Sequence, residues 1–400
     1  MRIAILLRIL WTGGAQKIAI SEARSLQEMG HSVRLVFLRG SINDEYKDLL
    51  QEVEFEIVSK GRKSVFDPVY SYVTGKFIPD RKKEGRVDYG LLRKFPNYIR
   101  KNKFDIIICH DQWAGLGGYY ARKKLGISYK VMIHEKLLQF QVPILGFIAT
   151  MYERRVLANA VEILAVTSKV GREIESKYEL STTTLLPGIT RRSFNPYSER
   201  DNVLLTVSFW DRGRFPEVYI SLIELIEDYN LVIAGNWRDN QYRDEVKTRI
   251  SKSTARERIH LKENLSEENL SELYRRSKFL VRFGFDEWGP GMANIEAISH
   301  GLPIIINSSL GIADIVASDG AGFVAQGNVP PNLETNANEW YANKLSRRTE
   351  NKVLLELKQI VDFVNRNDTP SSYAILQKGC ELVCEKLSWK AHCDQLIRLN

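Results

Sequence analysis

Short apolar runs rich in β-branched residues alternate with helical patterns along the first half of the chain. Runs without polar alternation are typical of strands buried on both faces of a parallel sheet. Between the first two runs, a helical pattern from about Ala15 to Met29 stops at Gly30, a common helix terminator. This half therefore predicts a βαβ series in a doubly wound α/β domain. The predicted strands are Arg2–Leu7, Ser32–Phe37, Glu54–Ile57, Asp105–Cys109, Lys130–Ile133 and Ile163–Val166.

The same alternation restarts in the second half. Residues Pro187 to Arg200 are rich in polar residues and chain breakers, which indicates a linker. Two α/β domains of similar size are predicted, with a ligand cleft where the strand carboxyl ends meet. An amphipathic helix from about Ser371 closes the chain. The second set of predicted strands is Val203–Val207, Asn230–Ala234, Ile259–Leu261, Phe279–Arg282, Pro303–Asn307 and Gly322–Ala325.

Composition is that of an ordinary globular protein. The 400 residues are 44% hydrophobic and 26% charged. No apolar run reaches the length of a transmembrane helix, and the N-terminus predicts a first strand rather than a signal peptide. Four cysteines favour a reducing compartment. Cys380, Cys384, Cys393 and His392 invite comparison with zinc sites, but their spacing favours packing in a helical segment.

The positive charge is concentrated in one segment. Residues 60–104 contain 13 Lys and Arg against 4 Asp and Glu, interleaved with aromatic residues. Such a segment suits an anionic membrane surface, an acidic acceptor or, with no recognition module in view, less readily nucleic acid. A solvated insertion without a partner is the alternative.

A glycine turn between a predicted strand and helix carries the chemical signal. After Phe279–Arg282 come Gly284, Gly289 and Gly291, with Pro290 suited to the first helical turn. The start of a helix favours phosphate, and a carboxylate further along, Glu296, can reach ribose hydroxyls. The turn therefore indicates a nucleotide, without the GxxxxGK[ST] pattern of a P-loop. Glycines that merely permit tight packing are the alternative.

Several landmarks in order make the chain resemble a retaining glycosyltransferase of family 4, with the GT-B fold. The resemblance implies two Rossmann-like domains facing a central cleft: an acceptor-binding domain (1–195) and a nucleotide-sugar-binding domain (196–375). It also implies that a C-terminal helix (376–400) crosses back to the first domain. The landmarks are residues 11–16 (WTGGAQ), 109–113 (CHDQW), 133–135 (IHE), 165–168 (AVTS), 186–189 (LPGI), 267–274 (EENLSELY) and 388–389 (SW).

By the same resemblance, individual residues acquire expected roles. Glu296 is expected to hold the donor's ribose, and His134 to lie near the transferred sugar. His110 and Trp113 are the candidate acceptor-binding residues, although a satisfied core histidine is the default interpretation for His110 and the alternative for His134. The donor phosphates and sugar are expected to approach the backbone of Gly13, Gly14, Gly291, Met292 and Ala293.

Two positions depart from the family pattern. The first glutamate of the E-x7-E motif falls on Trp288, so either Glu287 takes its role through one extra loop residue or the contact is lost. After the first strand of the second domain, Phe209 stands at the expected Arg and Arg214 at the expected Lys. Arg212 is the candidate for the second cation, because guanidinium groups suit phosphate. A solvated loop is the alternative for both arginines.

The resemblance implies hexosyl transfer with retention, without a metal or cofactor, from a UDP- or GDP-sugar. The expected acceptor is a lipid-linked, polysaccharide or glycan molecule, handled in the cytoplasm or peripherally at the inner membrane face. Glu287 and His134 would orient the sugar. A catalytically silent nucleotide- or glycan-binding protein is the first alternative, motivated by Trp288 and Phe209. A GT-B sugar-nucleotide epimerase is the second.

Overall fold

The computed structural model describes residues 1–10, 13–39, 50–59, 89–135, 137, 143–284, 287–325 and 347–398. These residues form two compact units. The first contains residues 1–188 and 389–400, and the second contains residues 189–388. Most of the basic segment at 60–104, and Trp11 and Thr12 of the landmark at residues 11–16, lie outside the described residues.

The first unit is built on a parallel sheet in the order β3-β2-β1-β4-β5-β6-β7. The central strands are fully buried apolar runs, which is why they lack polar alternation. Its strands are β1 (Arg2–Ile9), β2 (Ser32–Arg39), β3 (Phe55–Ser59), β4 (Ile106–His110), β5 (Ser128–Ile133), β6 (Glu162–Ala165) and β7 (Thr183–Thr184). Its helices are α1 (Gly14–Glu28), α2 (Tyr89–Asn102), α3 (Gln112–Leu125), α4 (Pro143–Asn159), α5 (Ser168–Tyr178) and, at the C-terminus, α13 (Trp389–Ile397).

The second unit repeats this plan with a parallel sheet in the order β10-β9-β8-β11-β12-β13. Its strands are β8 (Asp201–Val207), β9 (Asn230–Ala234), β10 (Ile259–Lys262), β11 (Ser277–Arg282), β12 (Ile304–Asn307) and β13 (Gly322–Ala325). Its helices are α6 (Pro216–Ile223), α7 (Asn240–Ser251), α8 (Glu267–Arg276), α9 (Met292–Ser299), α10 (Ala313–Asp319), α11 (Arg347–Asn367) and α12 (Pro370–Lys386).

The predicted strands are all present, with ends that differ from the prediction by two residues at most. The first helix and its glycine terminator are also confirmed, since Gly30 has a φ of 86° and follows α1 closely. The sequence missed only β7 among the described strands, because two residues are too few to show a pattern.

The unit boundary and the C-terminal helix differ from the prediction. The predicted boundary at 195/196 lies inside the second unit, because the Arg192 amide donates to the Ser299 carbonyl at 2.8 Å. The segment predicted to return as one helix, 376–400, is two helices. A β-bridge between Ile189 and Ser388 marks the break, so α12 belongs to the second unit and only α13 to the first.

The cysteines pack as buried thiols. Cys380 and Cys384 lie on α12 in the second unit, whereas Cys393 lies on α13 in the first. Burial raises the pKa of Cys384 to about 11 and that of Cys393 to about 12, so these thiols stay protonated. Their distribution fits the packing interpretation. No helix in the described part of the chain has the length and apolar character needed to cross a membrane.

We expect Arg200 to hold the second unit together. Arg200 is 6% exposed, and its guanidinium donates to the carbonyls of Tyr274, Ser277, His300 and Gly301 at 2.7–3.2 Å. Arg200→Met would leave these acceptors unpaired and should lower the free energy of unfolding by about 3 kcal/mol or more.

Chemical denaturation measures this loss. The matched control is Arg256→Met, whose side chain is 64% exposed and should change stability by less than about 0.5 kcal/mol. Equal effects of the two substitutions would contradict the role of Arg200.

Candidate active site

The candidate phosphate site lies where α9 begins. Gly291 precedes this helix with a φ of 69°, a conformation that side chains rarely adopt. A Cβ at this position would also stand 2.8 Å from Nδ2 of the Asn294 side chain. Met292 and Ala293 form the first turn, whose N–H groups have no acceptor within the helix. The sequence prediction places the donor phosphate at this turn, and the geometry leaves the backbone open to close approach.

A buried arginine stands beside this turn. Arg282 ends β11, and its guanidinium donates to the Val207 carbonyl at 2.6 Å and to both Glu287 carboxylate oxygens at 2.9 Å. Its Nε lies 3.7 Å from the point where a Cβ on Gly291 would stand. This Nε has no hydrogen-bond partner within the described part of the chain. Burial, reinforced by the charge of Arg214, lowers the pKa of Arg282 to about 10, so the side chain remains a cation at neutral pH.

Glu287 joins two arginines. Its carboxylate contacts Arg282 and also pairs with Arg214, which arrives from the loop after β8. One carboxylate between two guanidinium groups leaves a net positive charge next to the start of α9. The neighbouring Trp288 is half-buried. A direct contact between Glu287 and a sugar stays a prediction, but its described partners are cations.

The predicted arginine pair is divided in the structure. Arg214 belongs to the Glu287 cluster, whereas Arg212 pairs with Glu245 at 2.7 Å and lies over the Tyr242 ring. Phe209, at the position where the family places an arginine, is 52% exposed. The described cations that meet near α9 are thus Arg214 and Arg282, and the second of these was not predicted.

The predicted ribose ligand is held by a tyrosine. Glu296 is half-buried on α9, and the Tyr274 hydroxyl donates to its carboxylate at 3.0 Å. Burial and the adjacent Glu296 charge raise the pKa of Tyr274 well above its ordinary value, so this hydroxyl keeps its proton. The hydrogen bond therefore fixes the position of the Glu296 carboxylate, whose oxygens can accept further hydroxyl groups.

In the first unit, the two predicted histidines are in direct contact. His110 Nδ1 lies 2.9 Å from His134 Nε2, and the rings stack with centroids 4.9 Å apart. The Asp111 amide donates to the Met132 carbonyl at 2.9 Å, which ties the end of β4 to the end of β5. This pairing brings residues 24 positions apart to one sheet edge.

Both acceptor candidates are buried. His110 is 2% exposed and its second nitrogen faces Glu22 at 2.8 Å, so both ring nitrogens have protein partners. Trp113 is 8% exposed at the start of α3, where the Asp111 side chain caps the helix. Contact between an acceptor and either residue stays a prediction, and the placement of His110 favours support of His134.

The glycine turn near the N-terminus leads directly into a helix. Gly13 precedes α1 in extended conformation, and Gly14 is its first residue. The proposed approach of a phosphate or acceptor to this backbone stays a prediction.

Two of the missed residues left a signal in the sequence. Arg282 is a charged residue at the end of the buried strand β11, and Glu22 lies on the apolar face of α1 between Ile18 and Leu26. A buried charge in such a setting needs a partner. Tyr274 left no such signal, because a tyrosine on a helix ordinarily predicts core packing.

Two family models match the chain in succession. The model described as Glycosyltransferase Family 4 matches residues 12–189, and the model described as Glycosyl transferases group 1 matches residues 192–353. The two models together cover most of the chain, which therefore belongs to family 4 of the glycosyltransferases.

Two curated relatives are similar over part of their length. The serotype-specific mannosyltransferase WbdA of Escherichia coli is 29% identical over 146 residues, which are 35% of this chain. The match spans only 17% of the length of WbdA. The uncharacterized glycosyltransferase MJ1178 of Methanocaldococcus jannaschii is 23% identical over 306 residues, covering 75% of this chain and 83% of that protein.

A solved structure shares the fold. The crystal structure of Anabaena Alr3699/HepE in complex with UDP has a TM-score of 0.73 to this chain at 14% identity. The similarity covers 99% of this chain and 98% of that chain. The predicted GT-B fold class, with two Rossmann-like parallel sheets, is confirmed.

The environment of His134 predicts a pH-dependent stability. Burial lowers the pKa of His134 from 6.5 to about 3, and the adjacent His110 acts in the same direction. Between these values the unfolded chain binds more protons than the folded protein, so stability falls as the pH decreases. Between pH 7 and pH 5, His134 should account for a loss of up to about 2 kcal/mol in the free energy of unfolding.

Denaturation midpoints at several pH values test this effect. His134→Gln should flatten the loss of stability between pH 7 and pH 5, whereas the control His260→Gln, at an exposed position on β10, should not. An unchanged pH slope in His134→Gln would show that the imidazole is not desolvated.

Proposed function

We propose that the protein transfers a sugar from a nucleotide-sugar to a glycan, polysaccharide or lipid-linked acceptor with retention of configuration. The observation that carries this proposal is the cluster of Arg282, Arg214 and Glu287 beside the start of α9. It combines two guanidinium groups, a helix start and a glycine without a side chain. A nucleoside diphosphate is the ligand chemistry that such a cluster favours.

The proposed binding mode uses both ends of the nucleotide. The diphosphate would lie against Arg282, Arg214 and the N–H groups of Met292 and Ala293. Glu296, fixed by Tyr274, would accept hydrogen bonds from the ribose hydroxyls. The related fold whose structure contains UDP supports a UDP-sugar as one donor to test, and the sequence prediction adds GDP-sugars as the other.

The chemistry follows from the charge of the leaving group. As the bond between the anomeric carbon and phosphate breaks, negative charge grows on the nucleoside diphosphate. Fixed cations and N–H dipoles stabilise that charge because they need no rearrangement during the reaction. We propose that the arginines meet this demand without a divalent metal, so chelators should leave transfer unchanged.

Retention follows if the acceptor attacks from the face that the diphosphate leaves. The acceptor oxygen forms the new bond to the anomeric carbon, and its proton passes to the departing phosphate oxygen. His134, which burial keeps neutral, would accept a hydrogen bond from a sugar hydroxyl and orient the donor. Glu287 would act on the diphosphate through the two arginines it positions.

A thermal-shift panel of UDP, GDP, ADP and their sugars tests the donor site. One nucleotide should stabilise the wild-type protein increasingly with its concentration. Arg282→Met and Arg214→Met should each weaken that binding by about tenfold or more, because each removes a charge-assisted contact to the diphosphate. Glu296→Ala should weaken it through loss of the ribose contact.

Two control variants sharpen the result. Arg256→Met changes an exposed arginine of the second unit, and Arg212→Met an arginine that already pairs with Glu245. Arg256→Met should bind as the wild-type protein does, and Arg212→Met should lose less affinity than Arg214→Met. The absence of a shift with every nucleotide would contradict the donor site, and binding without turnover would favour the catalytically silent alternative.

We also propose that the acceptor is met at the cytoplasmic face of an anionic membrane. The proposal rests on the sequence, since residues 60–88 of the basic segment lie outside the described residues. Binding to anionic liposomes should decrease with salt and with replacement of Arg81, Lys82 and Lys83 by glutamine.

The same charge change at exposed positions of the second unit provides the control. Replacement of Lys247, Lys252 and Arg256 by glutamine should leave liposome binding unchanged. Equal binding by the wild-type protein and the Arg81, Lys82 and Lys83 variant would remove the membrane from the proposal.

A further inference from the structure

A continuous chain of hydrogen bonds runs from His134 into the interior of the first unit. His134 Nε2 lies 2.9 Å from His110 Nδ1, and His110 Nε2 lies 2.8 Å from one Glu22 oxygen. The other Glu22 oxygen lies 2.8 Å from His392 Nε2, and His392 Nδ1 lies 2.7 Å from the Leu186 carbonyl oxygen. This hydrogen-bond chain thus connects a half-buried histidine to the C-terminal helix.

Only one end of this hydrogen-bond chain reaches the surface. Glu22 is fully buried, and His110 and His392 are 2% and 3% exposed, whereas His134 is half-buried. Each side chain comes from a different element: Glu22 lies on α1, His110 ends β4, His134 follows β5 and His392 lies on α13. Such a buried polar chain is costly unless every member is satisfied, so its protons occupy defined positions.

The hydrogen-bond chain ends at the Leu186 carbonyl, and the segment around this carbonyl is tightly packed. A Cβ on Gly188 would stand 2.3 Å from the Trp389 ring, so only glycine permits this approach. The same ring meets His392 edge-on, with centroids 5.3 Å apart. The Leu186 carbonyl is therefore held against His392 by contacts on both sides of the hydrogen bond.

The partners of His392 determine its protonation. A carbonyl oxygen only accepts, so Nδ1 carries a proton. Burial of the Glu22 carboxyl opposes ionisation, but hydrogen bonds from His110 and His392 and attraction to a cationic imidazole outweigh burial and hold its pKa well below the usual value. The ionised carboxylate also only accepts, so Nε2 carries a proton as well. His392 is consequently an imidazolium ion paired with Glu22.

This ion pair determines the next proton along the chain. His110 Nε2 donates to Glu22, which leaves one proton to share between His110 Nδ1 and His134 Nε2. A proton on His110 would create a second buried cation against a single carboxylate. Because the charge of Glu22 is already balanced by His392, the proton belongs on His134 Nε2.

We infer that His392, through Glu22 and His110, holds His134 in the tautomer that carries its proton on Nε2 and a lone pair on Nδ1. Nδ1 makes no hydrogen bond to the described residues, and it would accept a hydrogen bond from a sugar hydroxyl. The identity of that hydroxyl rests on the proposed function, whereas the tautomer does not. Glu22, His110 and His392 are positioning residues in this arrangement.

Nitrogen NMR of the full chain labelled at histidine tests the proton positions without any ligand. The histidine signals are assigned by single His→Gln variants. At pH 7 we expect His392 to carry protons on both ring nitrogens and His134 to carry one on Nε2. A neutral His392, or a His134 with its proton on Nδ1, would overturn the inference.

His392→Gln tests the causal step. Glutamine retains a donor for Glu22 but removes the positive charge, so His110 should take up a second proton. His134 should then accept at Nε2 and move its own proton to Nδ1. The control His260→Gln should leave the His134 signals unchanged. A folded His392→Gln variant with an unchanged His134 tautomer would contradict the coupling, and if it does not fold, the wild-type spectrum decides.

Two further readouts separate this inference from the proposed function. Nucleotide stabilisation should be the same in His392→Gln and the wild-type protein, because the nucleotide contacts proposed lie in the second unit. Sugar transfer should fall by about 100-fold, because the wrong nitrogen would face the hydroxyl. A correct tautomer in a protein that binds no nucleotide would support the inference while contradicting the donor site.

Discussion

Buried charge is the constraint on which the functional residues of this chain depend. A charged side chain inside a protein requires a partner that offsets the loss of water. In the second unit, Arg282 meets this requirement through Glu287 and a backbone carbonyl. In the first unit, Glu22 meets it through two histidines. In both cases a charged residue at or near the carboxyl ends of parallel strands fixes the position of its neighbours.

Each cluster suits one part of the proposed reaction. The arginine cluster has excess positive charge and a glycine that allows close approach, which suits a diphosphate that gains charge as it leaves. The histidine chain has balanced charge and presents one neutral ring, which suits a hydroxyl that needs orientation. Because each cluster is internally paired, its geometry is established before a substrate binds, as transition-state stabilisation requires.

The sequence predicted the fold more completely than the site. Apolar runs between helical patterns located the long strands because burial on both faces leaves a clear local pattern. The site depends on contacts between distant residues, and local patterns do not report these. His392 was considered as a zinc ligand with nearby cysteines, yet its partner is Glu22, 370 positions away. The sequence predicted a cation at the position of Phe209, whereas the structure has Arg282 nearby. The pairing of β11 with β8 brings Arg282 to the Val207 carbonyl, two residues before Phe209.

The proposed function depends on recognition of a diphosphate by the arginine cluster in the second unit. Calorimetry with a nucleoside diphosphate, the matching monophosphate and the nucleoside measures the contribution of each phosphate directly. We expect the diphosphate to bind at least about tenfold more tightly than the monophosphate, with most of the gain lost in Arg282→Met. Equal affinities for the three ligands would contradict it.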